Sequence, residues 1–273
     1  MPLHPSLVLL VPMTALLVSA ASAVPAPAQA AEATKAPAAK SETVFGVGVW
    51  SRPAYVGSDA RVLSVIPIIR YYGSPWFART TQGMLEAGAR VAVAGGVSIG
   101  AQVAYEVGRD SKDSDFLASR DVTTLPSSAS IGVHAGWDTE LGPVPLTVLL
   151  RYRREAVSER GAQADLRAAI GLHRGAHLRF GLFAQSTWAN AESNQAYYGV
   201  SAADAGAPGL FAFDSDAGMV YVAAGLPWSY ELGSKWMLQG NLEVRQLSAE
   251  LYRSPLTQMR VNSYASAGLA YHF

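Results

Sequence analysis

From Tyr264 to Phe273 the chain alternates without a break. Ala265, Ala267, Leu269, Tyr271 and Phe273 fall on one side; Tyr264, Ser266, Gly268, Ala270 and His272 fall on the other. A period of two with one apolar side is the mark of a β-strand. The period returns between Val97 and Gly108, where Val97, Ile99, Ala101, Val103, Tyr105 and Val107 alternate with Ser98, Gly100, Gln102, Ala104, Glu106 and Gly108. Such a run is too regular for the edge strand of a soluble sandwich.

The same alternation organises nearly the whole chain after residue 43. Phe45, Val47 and Val49 oppose Gly46 and Gly48; Leu85, Ala87, Ala89 and Val91 oppose Glu86, Gly88 and Arg90. Ala129, Ile131, Val133, Ala135 and Trp137 oppose Ser130, Gly132, His134, Gly136 and Asp138. Further strands are expected near 146–153, 164–172, 178–188, 220–228 and 236–245. Residues 61–72 are apolar on both sides, so their orientation stays open, and Trp76 to Thr80 makes a short strand. The count comes to about twelve, an even number.

The connections check this count. With the N-terminus placed in the periplasm, the turns around Gly73, Gly95, Gly142, Gly175 and Gly233 are tight and fall on the periplasmic side. The long connections, around Asp59 and at 109–126, 155–162 and 190–218, all fall on the other side. Short turns at one end and long loops at the other are the rule for transmembrane barrels. The expected fold is all-β: an antiparallel transmembrane β-barrel of about twelve strands over 44–273, with both termini periplasmic.

Composition agrees. Half the residues are apolar and only 15% are charged, against about a quarter in ordinary soluble domains. No mature stretch reaches the roughly twenty apolar residues of a spanning helix. Net charge is zero, which argues against a nucleic-acid partner. The absence of cysteine removes disulfides and thiolate metal sites.

The first thirty residues read as a secretory signal. An apolar run from Leu7 to Val18 precedes two small-x-small patterns, which place cleavage after Ala23 or Ala30. The n-region lacks Lys and Arg, unlike most such signals. Residues 31–43 read as a flexible periplasmic arm rich in Ala, Pro and Lys.

Charge decides between membrane and water. Glu86, Arg90, Glu106, Asp138, Arg151, Arg153, Asp165, Arg167, Arg179, Glu243 and Arg245 share the less apolar face of their strands. A charge on the lipid face at mid-bilayer costs about 2–4 kcal/mol. Segregation of this kind fits lipid outside and a polar lumen inside. A soluble sandwich gives the same alternation; the signal, strand number, loop asymmetry and terminal Phe273 separate the two.

Several short motifs occur in a characteristic order. They are Gly46-Val-Gly48, Pro53-Ala-Tyr-Val-Gly-Ser58, Pro67-Ile-Ile-Arg-Tyr71, Tyr105-Glu-Val-Gly-Arg109, Tyr197-Tyr-Gly-Val200, Ser254-Pro255 and the closing Gly268-Leu-Ala-Tyr-His-Phe273. In these the chain resembles the MipA/OmpV family of MltA-interacting outer-membrane proteins, over about residues 43–273. The resemblance implies a barrel in the Gram-negative outer membrane, in contact with its lipid. It implies for the namesake a scaffold joining a lytic transglycosylase to a peptidoglycan synthase. Other members resemble small-solute channels. Tyr271 and Phe273 resemble the terminal signal read by the barrel assembly machinery.

Candidate chemistry is sparse. His173 and His177 flank a tight turn, and their spacing suits a metal pair only on a helix. His134 shares a face with Ser130, but no serine-hydrolase signature accompanies it. No cofactor is implied. The lumen charges are the most informative set. Arg151, Arg153, Arg167 and Arg179 lie on neighbouring strands and could form a basic ladder for an anion-preferring pore. Alternatively they pair with Glu86, Glu106, Asp138 and Asp165 and fill the interior, which is the preferred reading because charges in a narrow barrel must be compensated. Two roles follow: a non-enzymatic scaffold with a closed lumen, or a small-solute pore.

Overall fold

The computed structural model describes residues 42–273. The expected signal and cleavage sites, and the arm up to residue 41, lie outside the described residues. Glu42 and Thr43, read as the end of the arm, belong to the first strand.

Twelve antiparallel strands close into one barrel. They are β1 (Glu42–Pro53), β2 (Arg61–Tyr72), β3 (Trp76–Thr81), β4 (Met84–Ala92), β5 (Val97–Glu106) and β6 (Ser128–Leu141). The second half comprises β7 (Val144–Glu155), β8 (Ala162–Arg174), β9 (Leu178–Ala189), β10 (Gly218–Glu231), β11 (Trp236–Leu247) and β12 (Val261–His272). Each strand pairs with its sequence neighbours, and β1 closes against β12 from Val44↔His272 to Ser51↔Ala265. Closure satisfies the two edges that a lipid environment would otherwise leave unpaired.

The faces fall as the alternation predicts. Phe45, Val47, Val49, Ile99, Val103, Ile131 and Val133 are exposed on the outside of the wall. Glu86, Gln102, Ser130, Arg151, Arg153, Asp165 and Glu243 are buried inside it. Outward charges are confined to strand ends, as at Arg61 and Arg154. This inverts a soluble protein: apolar side chains face outward and polar ones meet each other inside, the arrangement of a transmembrane barrel. For β2, left open by its two apolar sides, the structure turns Leu63 and Val65 outward and Ile68 inward. Ile68 joins Val44, Met237 and Ala270 in an apolar cluster inside the barrel, near the end that carries both termini.

Aromatic side chains mark that end on the outside. Tyr271 meets Trp236 edge-on at 5.1 Å and Phe273 at 4.9 Å. The Phe273 N–H donates to Thr43 O at 3.0 Å, so the last residue is tied to the first strand.

The opposite end is covered by ordered loops. α1 (Asp115–Ala118) lies in the connection after β5, and α2 (Ala191–Tyr198) in the one after β9. Asn190 caps α2, its side-chain oxygen accepting from Ser193 N at 3.0 Å. Leu117, Val200, Leu210 and Leu256, from three different loops, bury one another under Tyr55 and Phe116. A second cluster, Ala189, Tyr198, Val220, Leu247 and Leu251, joins this lid to the strand ends. These loops are a packed layer with its own core.

Candidate functional site

The site is the middle of the lumen. Five strands, β3, β4, β5, β7 and β8, send acids and bases into it at one level. Glu86 on β4 accepts from Arg79 Nε on β3 at 2.8 Å, and its other oxygen is bound by Arg151 of β7. Arg151 also donates to Asp165 of β8, Nε to Oδ2 at 3.0 Å. Arg153, one step along the same face of β7, donates to the same Asp165 oxygen at 3.1 Å and to Glu106 of β5. Glu106 receives Ser130 Oγ at 2.7 Å, and the remaining oxygen of Asp165 receives Thr187 Oγ1 at 2.8 Å. The three guanidinium groups Arg79, Arg151 and Arg153 thus face the three carboxylates Glu86, Glu106 and Asp165. Charge is balanced within the layer.

Exposure decides what this layer is. Glu86 is 0% exposed, Asp165 2% and Arg151 4%. Groups lining a water-filled channel remain hydrated; these have exchanged water for one another. Burial of an ion pair is repaid only by good geometry and further hydrogen bonds, which Ser130 and Thr187 supply.

A second group lies nearer β11 and β12. Glu243 accepts from Gln82 Nε2 at 3.0 Å and from Asn241 Nδ2 at 3.2 Å, and it also pairs with Arg245. The Arg245 guanidinium sits 4.0 Å from the Tyr264 ring centre. Gln82 belongs to the turn between β3 and β4, so that turn leans into the lumen. Gly83 beside it lies on the Trp50 ring, where an added Cβ would come within 2.4 Å. Its shortness among the longer loops at the same end is the sign in the sequence that could have marked it.

The four arginines picked out in sequence do not act as one set. Arg151 and Arg153 share the ionic layer. Arg167 stacks over Phe183 at 3.6 Å. Arg179 lies at the terminal end, half exposed and paired with Glu231. Of the acids proposed as partners, Glu86, Glu106 and Asp165 take arginines, whereas Asp138 accepts the Thr147 hydroxyl at 2.7 Å. The strand stagger carries Asp138 toward the terminal end, away from the layer.

The histidines are placed singly. His134 faces the lumen and meets Phe77 edge-on at 5.4 Å, while its neighbour Ser130 donates to Glu106. His173 stacks on Phe180 and His177 lies near Tyr230, beside a terminal-end turn. Among the described residues no group of three potential metal ligands forms.

Above the ionic layer the lid is fastened through buried polar groups. Arg109 donates from Nη1 to Tyr197 O at 2.6 Å and lies over the Tyr55 ring. Tyr197 donates to Glu155 at 2.9 Å, and Tyr55 donates to Leu256 O at 2.8 Å. Burial lowers the Arg109 guanidinium below its usual value, with the neighbouring tyrosines opposing. Burial pushes the Tyr55 phenol up to about 12.

Residues 45–273 match the family model described as MltA-interacting protein MipA. The chain belongs to the MipA family. It is an outer-membrane β-barrel, consistent with the Gram-negative outer membrane. No curated protein matches it. Among solved structures this MipA-family chain resembles the NanC porin at 10% identity and a TM-score of 0.48, covering 83% of this chain and 98% of that one. It also resembles the COG4313 outer membrane channel from Pseudomonas putida F1 at 11% identity and a TM-score of 0.49, covering 90% of this chain and all of that one.

Proposed function

We propose that this barrel is a non-enzymatic outer-membrane scaffold for peptidoglycan-remodelling enzymes. One observation carries the reading: the lumen is filled at mid-height by the dehydrated layer of Glu86, Arg151 and Asp165, beneath a lid with its own core. A barrel so filled has its surface, not its bore, to offer. The family description supplies the class of partner, a murein enzyme of the MltA type. A lytic transglycosylase, with a peptidoglycan synthase beside it, would meet the short turns and termini on the periplasmic side. Tyr271 and Phe273 at that end form an exposed aromatic cluster, which we read as the signal for the barrel assembly machinery.

A second reading keeps one specific support. Arg90 and Arg167 enter the lumen stacked on Tyr72 and Phe183 rather than bonded to a carboxylate, which biases the interior toward anions. Single-channel recording of the refolded protein in a planar bilayer distinguishes the two. The scaffold reading expects a folded, heat-modifiable barrel that does not conduct, and retention of a lytic transglycosylase from periplasmic extract. Stable, salt-dependent current steps would overturn it in favour of an anion-preferring pore.

A further inference from the structure

The barrel wall is complete on every seam but one. β2 pairs with β1 along its whole length, from Glu42↔Tyr72 to Pro53↔Arg61. On its other side it meets β3 only at Arg70, Tyr71 and Tyr72. β3 is six residues long, and the turn that ends it leans inward onto Trp50 and Glu243. On the side away from β1, residues 61–69 of β2 therefore have no paired strand among the described residues.

Two side-chain observations follow. Leu63 and Val65 are 72% and 74% exposed, against about half for their counterparts on β1. Pro67 sits on the same side of the strand. Its carbonyl accepts from Thr80 Oγ1 at 2.9 Å, across the seam. The N and O of one strand residue point to the same side, so the donor that proline lacks is missing from the open edge. Proline at an edge prevents another strand from pairing there, so this opening is built to resist strand addition.

Against this seam lies a cavity of about 220 Å³, lined by Ile66 and Ile68 of β2, by Thr80 and Thr81 of β3 and by Trp50. Arg167 and Asn241 also line it. Arg167 Nη1 and Asn241 Oδ1 are buried there without a hydrogen-bond partner among the described residues. One is a donor and the other an acceptor. The Val44–Ile68–Met237–Ala270 cluster lies on the terminal-end side of this cavity.

We propose that the interruption between β2 and β3 is a lateral window through which a small amphiphile enters from the membrane and binds in this cavity. Its apolar body lies on Trp50, Ile66 and Ile68. Its head is a carboxylic or similar group that accepts from Arg167 and reaches Asn241. Gln82, Asn241 and Arg245 already satisfy Glu243, so that carboxylate is not left facing the head unpaired. This inference is independent of the scaffold reading.

The test uses the full mature chain refolded in lipid nanodiscs, with dansyl-undecanoic acid as probe and heat-modifiability as the check on folding. Saturable binding with a blue-shifted dansyl signal is expected, about tenfold weaker for Arg167→Met, as loss of one charge-assisted contact implies. Ile66→Trp, which fills the cavity instead, is expected to weaken binding as well. The route is read separately. The chain has no native cysteine, so Ile66→Cys gives a single thiol. It is expected to react with membrane-dissolved pyrene maleimide, to be protected by the probe, and to resist a membrane-impermeant sulfonate reagent. Absence of saturable binding in folded protein overturns the proposal, as does labelling by the impermeant reagent alone. Disulfide-linked dimers of Leu63→Cys in membranes would also overturn it, by showing that a second copy covers the edge. So would labelling of Ile66→Cys that requires removal of residues 31–41, which would assign the edge to the chain's own N-terminal segment.

Discussion

Glu86 and Arg151 lie three strands apart around the wall, on β4 and β7, and meet inside the barrel as a buried ion pair. Both are buried. Removing one partner leaves the other buried with one opposite charge fewer, Glu86 keeping only Arg79 and Arg151 only Asp165, at up to about 3–5 kcal/mol. Glu86→Gln and Arg151→Met are therefore each expected to lower the unfolding free energy of the folded barrel in lipid, read from urea titration, by that order. The double variant Glu86→Leu/Arg151→Met is expected to recover part of the loss: Asp165 keeps Arg153, while Arg79 loses its carboxylate. Equal and additive losses would show that the pair is not coupled.

Arg109 fastens the lid from below through Tyr197 O and the Tyr55 ring. Arg109→Ala removes a charge-assisted bond worth about 2 kcal/mol. The expected result is faster protease cleavage within residues 109–126 and 190–217 of an otherwise intact barrel. Limited proteolysis with mass spectrometry reads this directly; cleavage confined to the wild-type pattern would mean that the apolar core around Leu117 holds the lid alone.

The lid is also expected to respond to strong alkali. Burial raises the Tyr55 phenol from its ordinary value near 10 to about 12, and burial likewise raises Tyr197 and Tyr198. A group whose pKa is higher in the folded state contributes stability that is complete below its unfolded pKa and lost as pH rises through the folded one. Lid stability should therefore be flat up to about pH 10 and fall toward pH 12. Phenolate absorbance, taken as wild type minus Tyr55→Phe, should show Tyr55 titrating above the exposed tyrosines; a midpoint near 10 would contradict its burial.

Gly268 on β12 pairs with Gly48 on β1, and Ile68 reaches over both. A Cβ at Gly268 would lie 2.5 Å from Gly48 Cα and 2.5 Å from Ile68 Cδ1. Gly268→Leu should cost about 2 kcal/mol or more by overpacking and reduce the heat-modifiable fraction on refolding. Adding Ile68→Ala should restore part of it, since one of the three obstructing atoms is then gone while Gly48 Cα and Val47 O remain.

Much of the architecture was legible because lipid and lumen impose opposite demands on alternate residues. Val97 to Gly108 could be read as a strand with its faces assigned from alternation alone. Arg61 to Tyr72 could not, since Ile66 and Ile68 replace lumen polarity with an apolar filling. α2 escaped notice because a short helix buried among loops has no amphipathic stripe to display; the Asn190 cap was its one local sign. The lid core was hidden for a related reason. Leu117, Val200, Leu210 and Leu256 are scattered apolar residues in polar segments, and nothing periodic links them. For the lumen charges, sidedness was readable but partnership was not. Which arginine meets which acid depends on strand stagger, so Asp138 and Arg179 fall away from a layer in which Asp165 binds two arginines at once.

The seam between β1 and β12 joins the two described strands farthest apart in sequence. Contacts of such separation carry the largest loop-closure cost and form slowly. β12 is therefore the strand on which closure waits: without Val261–His272, β1 and β11 would each present a row of unpaired backbone groups.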